Sequence, residues 1–181
     1  MLVSLKLHPD SVCAAVTGID VTVARPQPDT LALSYAMRGT IGDLRLPESA
    51  APERTDGLWQ HTCFEAFIRP SPGGGYNEFN FSPSTQWAAY QFDGYRSGMR
   101  PLCDLAPPAI AVRATETTCI LQAWLRWDRL PGLAHDNGCR VGLAAIIEET
   151  SGRKSYWALA HPPGKPDFHH ADGFAAELSE R

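Results

Sequence analysis

The sequence predicts an all-β protein, a single-domain antiparallel β-sandwich over residues 1–181 with jelly-roll or immunoglobulin-like connections. Three observations lead there. Short runs of alternating apolar and polar residues recur at a spacing of about 8–12 residues, as half-buried strands do. Fifteen Pro and fifteen Gly are more than a helical chain of this length carries, and many fall between those runs. Stretches with the 3.6-residue apolar period of an amphipathic helix are scarce. At 181 residues, with 44% hydrophobic and 20% charged, the chain can bury a core without metal or disulfide staples.

The elements follow in order. Residues 2–7 (LVSLKL) alternate and stop at His8-Pro9-Asp10, a turn-forming cluster. Strands over 19–24 and 31–38 come next, the second closed by Gly39. The polar stretch 47–57 (PESAAPERTDG) reads as a surface loop. Three central runs lie at 61–69, 76–82 and 87–92, with PSPGGG the turn between the first two. Residues 98–109 (GMRPLCDLAPPA) form a Pro-rich connection. Strands over 110–114 and 118–127 follow, and Asp128–Gly132 reads as a turn. The run 140–149 (RVGLAAIIEE) has enough Ala and Leu for a helix, but its length and neighbours favour a buried strand. It pairs as a hairpin with 154–160 around Thr150–Arg153, and 174–178 (FAAEL) predicts a final edge strand. No repeat, linker or low-complexity tract divides the chain.

The chemistry concentrates in residues 58–96. Side chains on a strand alternate between faces. His61, Cys63, Glu65 and Phe67 therefore share one face, backed by Thr62, Phe64, Ala66 and Ile68. In the next run Tyr76, Glu78, Asn80 and Ser82 oppose Asn77, Phe79 and Phe81. A core face backed by acid, amide and aromatic groups suits a binding sheet. Trp59, Tyr76, Trp87 and Tyr95 are candidate stacking platforms for a ligand's apolar face; His61, Glu65, Glu78, Asn80 and Arg96 are the candidate polar contacts. Two carboxylates side by side repel unless a cation or donor joins them, and Arg96 is the candidate donor.

Four segments carry a resemblance: CFEAFI (63–68), YNEFNFSP (76–83) followed by Trp87, LQAWLRWDRLPG (121–132) and PDFHHADGFAAEL (166–178). In this order they resemble the DOMON-like β-sandwich superfamily, which includes type 9 carbohydrate-binding modules and the cytochrome-type heme domains, and here a bacterial single-domain branch of it. The resemblance implies a non-catalytic module that binds a carbohydrate or related polyhydroxylated small molecule on a concave sheet face. It also implies that His169 anchors the terminal loop. Ser82 stands where many sugar-binding members carry Asn. The alternative within the superfamily is a heme domain, with Met99 and either His61 or His161 as axial ligands and Met37 in the core. A third reading is a protein-interaction module. No cofactor is expected.

Other functions find little support. Side chains two apart on a strand are roughly 6–7 Å apart, too far for Cys63 and His61 to act as a thiol–imidazole pair, so no enzyme is expected. His169-His170 completes no tetrahedral metal set, and no Asp-rich calcium loop is present. A net charge of −4 with scattered Lys and Arg gives no footprint for nucleic acid or a membrane surface. No stretch reaches the roughly 18 apolar residues of a membrane span. Five cysteines, an odd number without a CxxC pair, and an N-terminus without a signal-peptide pattern predict a cytoplasmic protein.

Overall fold

The computed structural model describes residues 1–71, 73–103, 105–126, 130 and 138–178. Its strands are β1 (Leu2–Leu7), β2 (Val16–Gln27), β3 (Thr30–Gly39), β4 (Cys63–Pro70), β5 (Tyr76–Phe81) and β6 (Trp87–Phe92). They continue as β7 (Arg100–Pro101), β8 (Ala109–Ala114), β9 (Thr118–Arg126), β10 (Cys139–Glu148), β11 (Lys154–Ala158) and β12 (Ala176–Leu178). Every pairing between these strands is antiparallel. The Asp128–Gly132 turn lies outside the described residues except for Leu130, which is buried, and so does Trp127.

The strands form one strongly curled sheet that packs against itself as a sandwich. One half runs β1-β2-β3-β9-β8; the other runs β7-β6-β5-β4-β10-β11, with β12 beside the start of β10. β1 belongs to both halves. Its Leu2–Leu5 pair with β2, and its Lys6 and Leu7 pair with β11. The first half alternates cleanly, sending Leu31, Leu33, Tyr35 and Met37 of β3 and Cys119, Leu121, Ala123 and Leu125 of β9 inward. The second half meets them with Phe64, Ala66, Ile68, Phe79, Phe81, Val141, Leu143 and Ala145. The Tyr35 hydroxyl crosses this core and donates to the Glu65 carbonyl at 2.8 Å.

The second half differs in one respect that decides where a ligand can go. All of β5, nearly all of β10 and most of β4 are buried on both faces. A second apolar cluster, built on Phe67, Tyr76, Tyr90, Phe92 and Phe174, covers part of the outer face, and Leu58 and Phe168 pack onto it. The cover comes from the C-terminal segment 161–173, here called the strap, which includes a 3₁₀ turn at Ala171–Gly173.

Two expectations are corrected at this level. The strand predicted from 61 begins at Cys63, because Gly57 in left-handed conformation (φ 79°) starts a 3₁₀ turn over Leu58–Gln60. His61 thus precedes the strand and does not line the cavity described below; its Nδ1 lies 2.7 Å from Glu148 Oε2 at the end of β10. Trp87 is the second correction. It stands opposite Phe81 and packs inward with Phe79 and Phe81, at 5% exposure, so it is core and no platform.

Candidate functional site

Strand register assembles the site. One row across the outer face of the second half reads Ala88, Asn80, Glu65, Ala144, Ala158 from β6 to β11. The next reads Tyr90, Glu78, Phe67, Gly142. Three alanines flank the Asn80–Glu65 pair, so the sheet is hollow there, while the next row carries large rings. Glu65 and Glu78 are diagonal neighbours on adjacent strands, which places such residues roughly 7–8 Å apart at the backbone.

Over this hollow lies a cavity of about 360 Å³, the size range of small-molecule sites. Glu65 and Glu78 form its floor, at 3% and 6% exposure. Tyr90, Phe92, Ile146, Tyr156, Phe168 and His169 wall it, and Trp59, Arg96, Met99 and Pro166 complete the lining. Trp59, at 39% exposure, sets its ring edge-on to Tyr90 with centroids 6.0 Å apart.

The strap is tied down by polar bonds. Tyr76 Oη lies 2.7 Å from His169 Nδ1, and the Arg96 backbone N–H donates to the same phenol oxygen at 3.4 Å. The other ring nitrogen of His169, Nε2, faces Glu78 Oε2 at 3.8 Å. Burial, reinforced by the Arg96 charge, pulls His169 down to about 4, and burial pushes Tyr76 up to about 12, so both are neutral near neutral pH. Asp167 accepts from Arg96 at 2.8 Å, from the Tyr95 hydroxyl and from the His169 backbone N–H. Edge-on contacts of His169 with Phe67 and Phe92, each 5.2 Å between centroids, complete the anchor. His169 therefore fastens the terminal loop, as the resemblance implies.

The two floor carboxylates are not equivalent. Asn80 Nδ2 donates to Glu78 Oε1 at 2.7 Å. Among the described residues nothing donates to the Glu65 carboxylate. Burial pushes Glu65 well above the ordinary carboxylate range, and the neighbouring Glu78 pushes it further while Arg96 pulls it back. Burial also raises Glu78, opposed by its Asn80 bond and by Arg96. A carboxylate facing the cavity without a donor is what a ligand donor would complete.

Of the sequence candidates, Trp59, Glu65, Glu78 and Arg96 line the cavity. Asn80 and Tyr76 are fully buried beneath it and orient Glu78 and His169. Tyr95 is exposed and borders a separate shallow groove with Asp167 and His170. Ser82 is buried and accepts from Ser84. Met99 lines the cavity but His61 does not, and His161 Nε2 is held by the Lys6 carbonyl at 2.8 Å, so neither proposed axial pair assembles. Sequence reasoning missed Tyr90, Phe92, Ile146, Tyr156 and Phe168. Tyr90 and Phe92 were findable, since they share strand parity with Ala88 opposite Asn80.

No family model matches the chain, and no curated protein matches it by sequence. Solved structures do. A Bacteroides uniformis protein provisionally assigned to carbohydrate binding aligns with a TM-score of 0.66 at 12% identity, over 96% of this chain and 83% of its own. A family 9 carbohydrate-binding module from Caldicellulosiruptor kristjanssonii, solved with cellotriose, aligns at 0.53 and 10% identity, over 90% of this chain and 75% of its own. The chain has the curled antiparallel β-sandwich fold of type 9 carbohydrate-binding modules.

Proposed function

We propose that this chain is a non-catalytic binding module whose ligand, a carbohydrate or a related polyhydroxylated small molecule, occupies the cavity under the strap. The observation that carries the reading is the Glu65 carboxylate, buried at the base of an aromatic-walled cavity with no donor among the described residues. Sugar hydroxyls are donors that satisfy such an acceptor, and sugar C–H faces pack on rings such as Trp59. Both solved neighbours point the same way through their ligand or assignment. Glu78 with its Asn80 partner fixes the ligand's orientation, and the Arg96 guanidinium, steadied by Asp167, offers a further donor. The same composition supports a cytoplasmic setting, with all five cysteines unpaired.

The test is calorimetric titration with mono- and oligosaccharides, cellotriose among them. Saturable binding that falls in Trp59→Ala and Glu78→Gln, with the fold intact, is expected. Silence across the panel at millimolar concentration would contradict the proposal and favour a protein partner on the exposed Trp59, Tyr95 and Met99 side chains.

A further inference from the structure

We infer that the ligand of this site carries an ammonium group beside its hydroxyls, as an amino sugar does, because two buried carboxylates meet a ring of aromatic side chains and, among the described residues, the lining guanidinium is already paired. The inference rests on the carbohydrate reading and narrows it. Glu65 and Glu78 form the cavity floor, and Asn80 satisfies only Glu78. Arg96 is the cationic side chain among the described residues that line the cavity, and its guanidinium is already bound to Asp167 at 2.8 Å. Three carboxylates thus answer one guanidinium.

Among the described residues, the other titratable groups at the cavity add no positive charge. Cys63 neighbours it on β4, Tyr90 reaches the cavity from β6 and Tyr156 from β11; His169, from the strap, is neutral. A neutral sugar satisfies a hydrogen bond here but leaves the carboxylates repelling each other. An ammonium does both, and the rings of Trp59, Phe92, Tyr156 and Phe168 attract it as well. Burial raises both carboxyl groups above the ordinary range, Glu65 further than Glu78. A bound ammonium pulls them back down, so its entry favours release of a carboxyl proton to solvent.

The experiment is calorimetry of the whole chain near neutral pH with glucosamine, galactosamine and mannosamine hydrochlorides, each beside its neutral parent and its N-acetyl derivative. Buffers of differing ionisation heat count protons. One amino sugar is expected to bind about tenfold or more tighter than its parent, with proton release. Glu65→Gln is expected to abolish both the preference and the release. Glu78→Gln serves the same purpose should Glu65→Gln lose its circular dichroism signature. Neutral sugars binding as tightly as amines, without proton release, would overturn the inference and leave the carbohydrate reading standing. Tetramethylammonium binding as tightly as any amino sugar would keep the cation site and overturn the carbohydrate reading. Silence from every probe would overturn both.

Discussion

At the scale of single residues, Glu65 is the group whose behaviour most departs from a surface carboxylate, and that departure is measurable. Its folded pKa lies above the ordinary value of 4.5, so the folded chain holds a proton that the unfolded chain has lost. Stability from this group is therefore lost as pH rises from about 4.5 through the raised folded value. His169 acts with the opposite sign. Its folded value of about 4 lies below the usual 6.5, so its contribution is present above 6.5 and lost as pH falls toward 4. Denaturant unfolding of wild type and Glu65→Gln across this range cancels the His169 part. The variant's advantage is expected to grow with pH, at a slope of up to about 1.4 kcal/mol per pH unit. A flat or inverted difference would contradict the burial of an unpartnered acid. The two tryptophans give a sharper contrast. Trp87→Ala is expected to cost about 3–5 kcal/mol of stability, while Trp59→Ala leaves stability within about 1 kcal/mol and weakens ligand binding. The sequence pattern placed both among the platforms. Parity assigned Glu65, Glu78 and Asn80 correctly, because each apolar partner strand face was unambiguous. It failed for Trp87 because both faces of WAAYQF are largely apolar, Gln91 being the one polar side chain, and the register that sets Trp87 against Phe81 decides between them.

At the scale of elements, the strap over the second half of the sheet is what turns a sheet face into a cavity. It could not be read from periodicity, since residues 161–173 contain none; only the residue types in PDFHHADGF hinted at an anchor. Its fit depends on a close approach. A Cβ added at Gly142 of β10 would lie 3.0 Å from the Gly173 carbonyl oxygen and 3.4 Å from Phe67 Cβ. Glycine there lets the strap's turn rest against the strand. Gly142→Val is expected to push the strap off at a cost of about 1–3 kcal/mol. Hydrogen exchange should then speed up at the Gly173 and Phe174 amides, which bond to His170 and Ala171, while the β4–β10 ladder stays protected. Unchanged exchange at those two amides would show that the strap is held without this contact. Strand positions, by contrast, were well marked by alternation and by Pro and Gly. Their ends moved where a turn intervened, as at Leu58–Gln60, which removed His61 from the strand face.

At the scale of the whole molecule, the curl of the sheet links core and site. β1 changes partners midway, passing from β2 to β11, and so joins the two halves of the sandwich. Tyr35, from the half that carries no site, holds the backbone of Glu65 from beneath. The site's floor is therefore braced by the core, while its roof is the peripheral strap. The antiparallel sandwich was evident in the sequence because alternation reports burial on one face directly. The cavity was not, because it arises from three alanines in one row, which no local pattern distinguishes from ordinary small core residues. The most direct test is nuclear magnetic resonance mapping of an isotope-labelled chain during titration with an amino sugar or oligosaccharide. Shifts centred on the Trp59 indole, Ile146 and the Phe168–His169 amides are expected. Saturable shifts confined to the outer face of β2, β3 and β9, with these probes unmoved, would contradict the account.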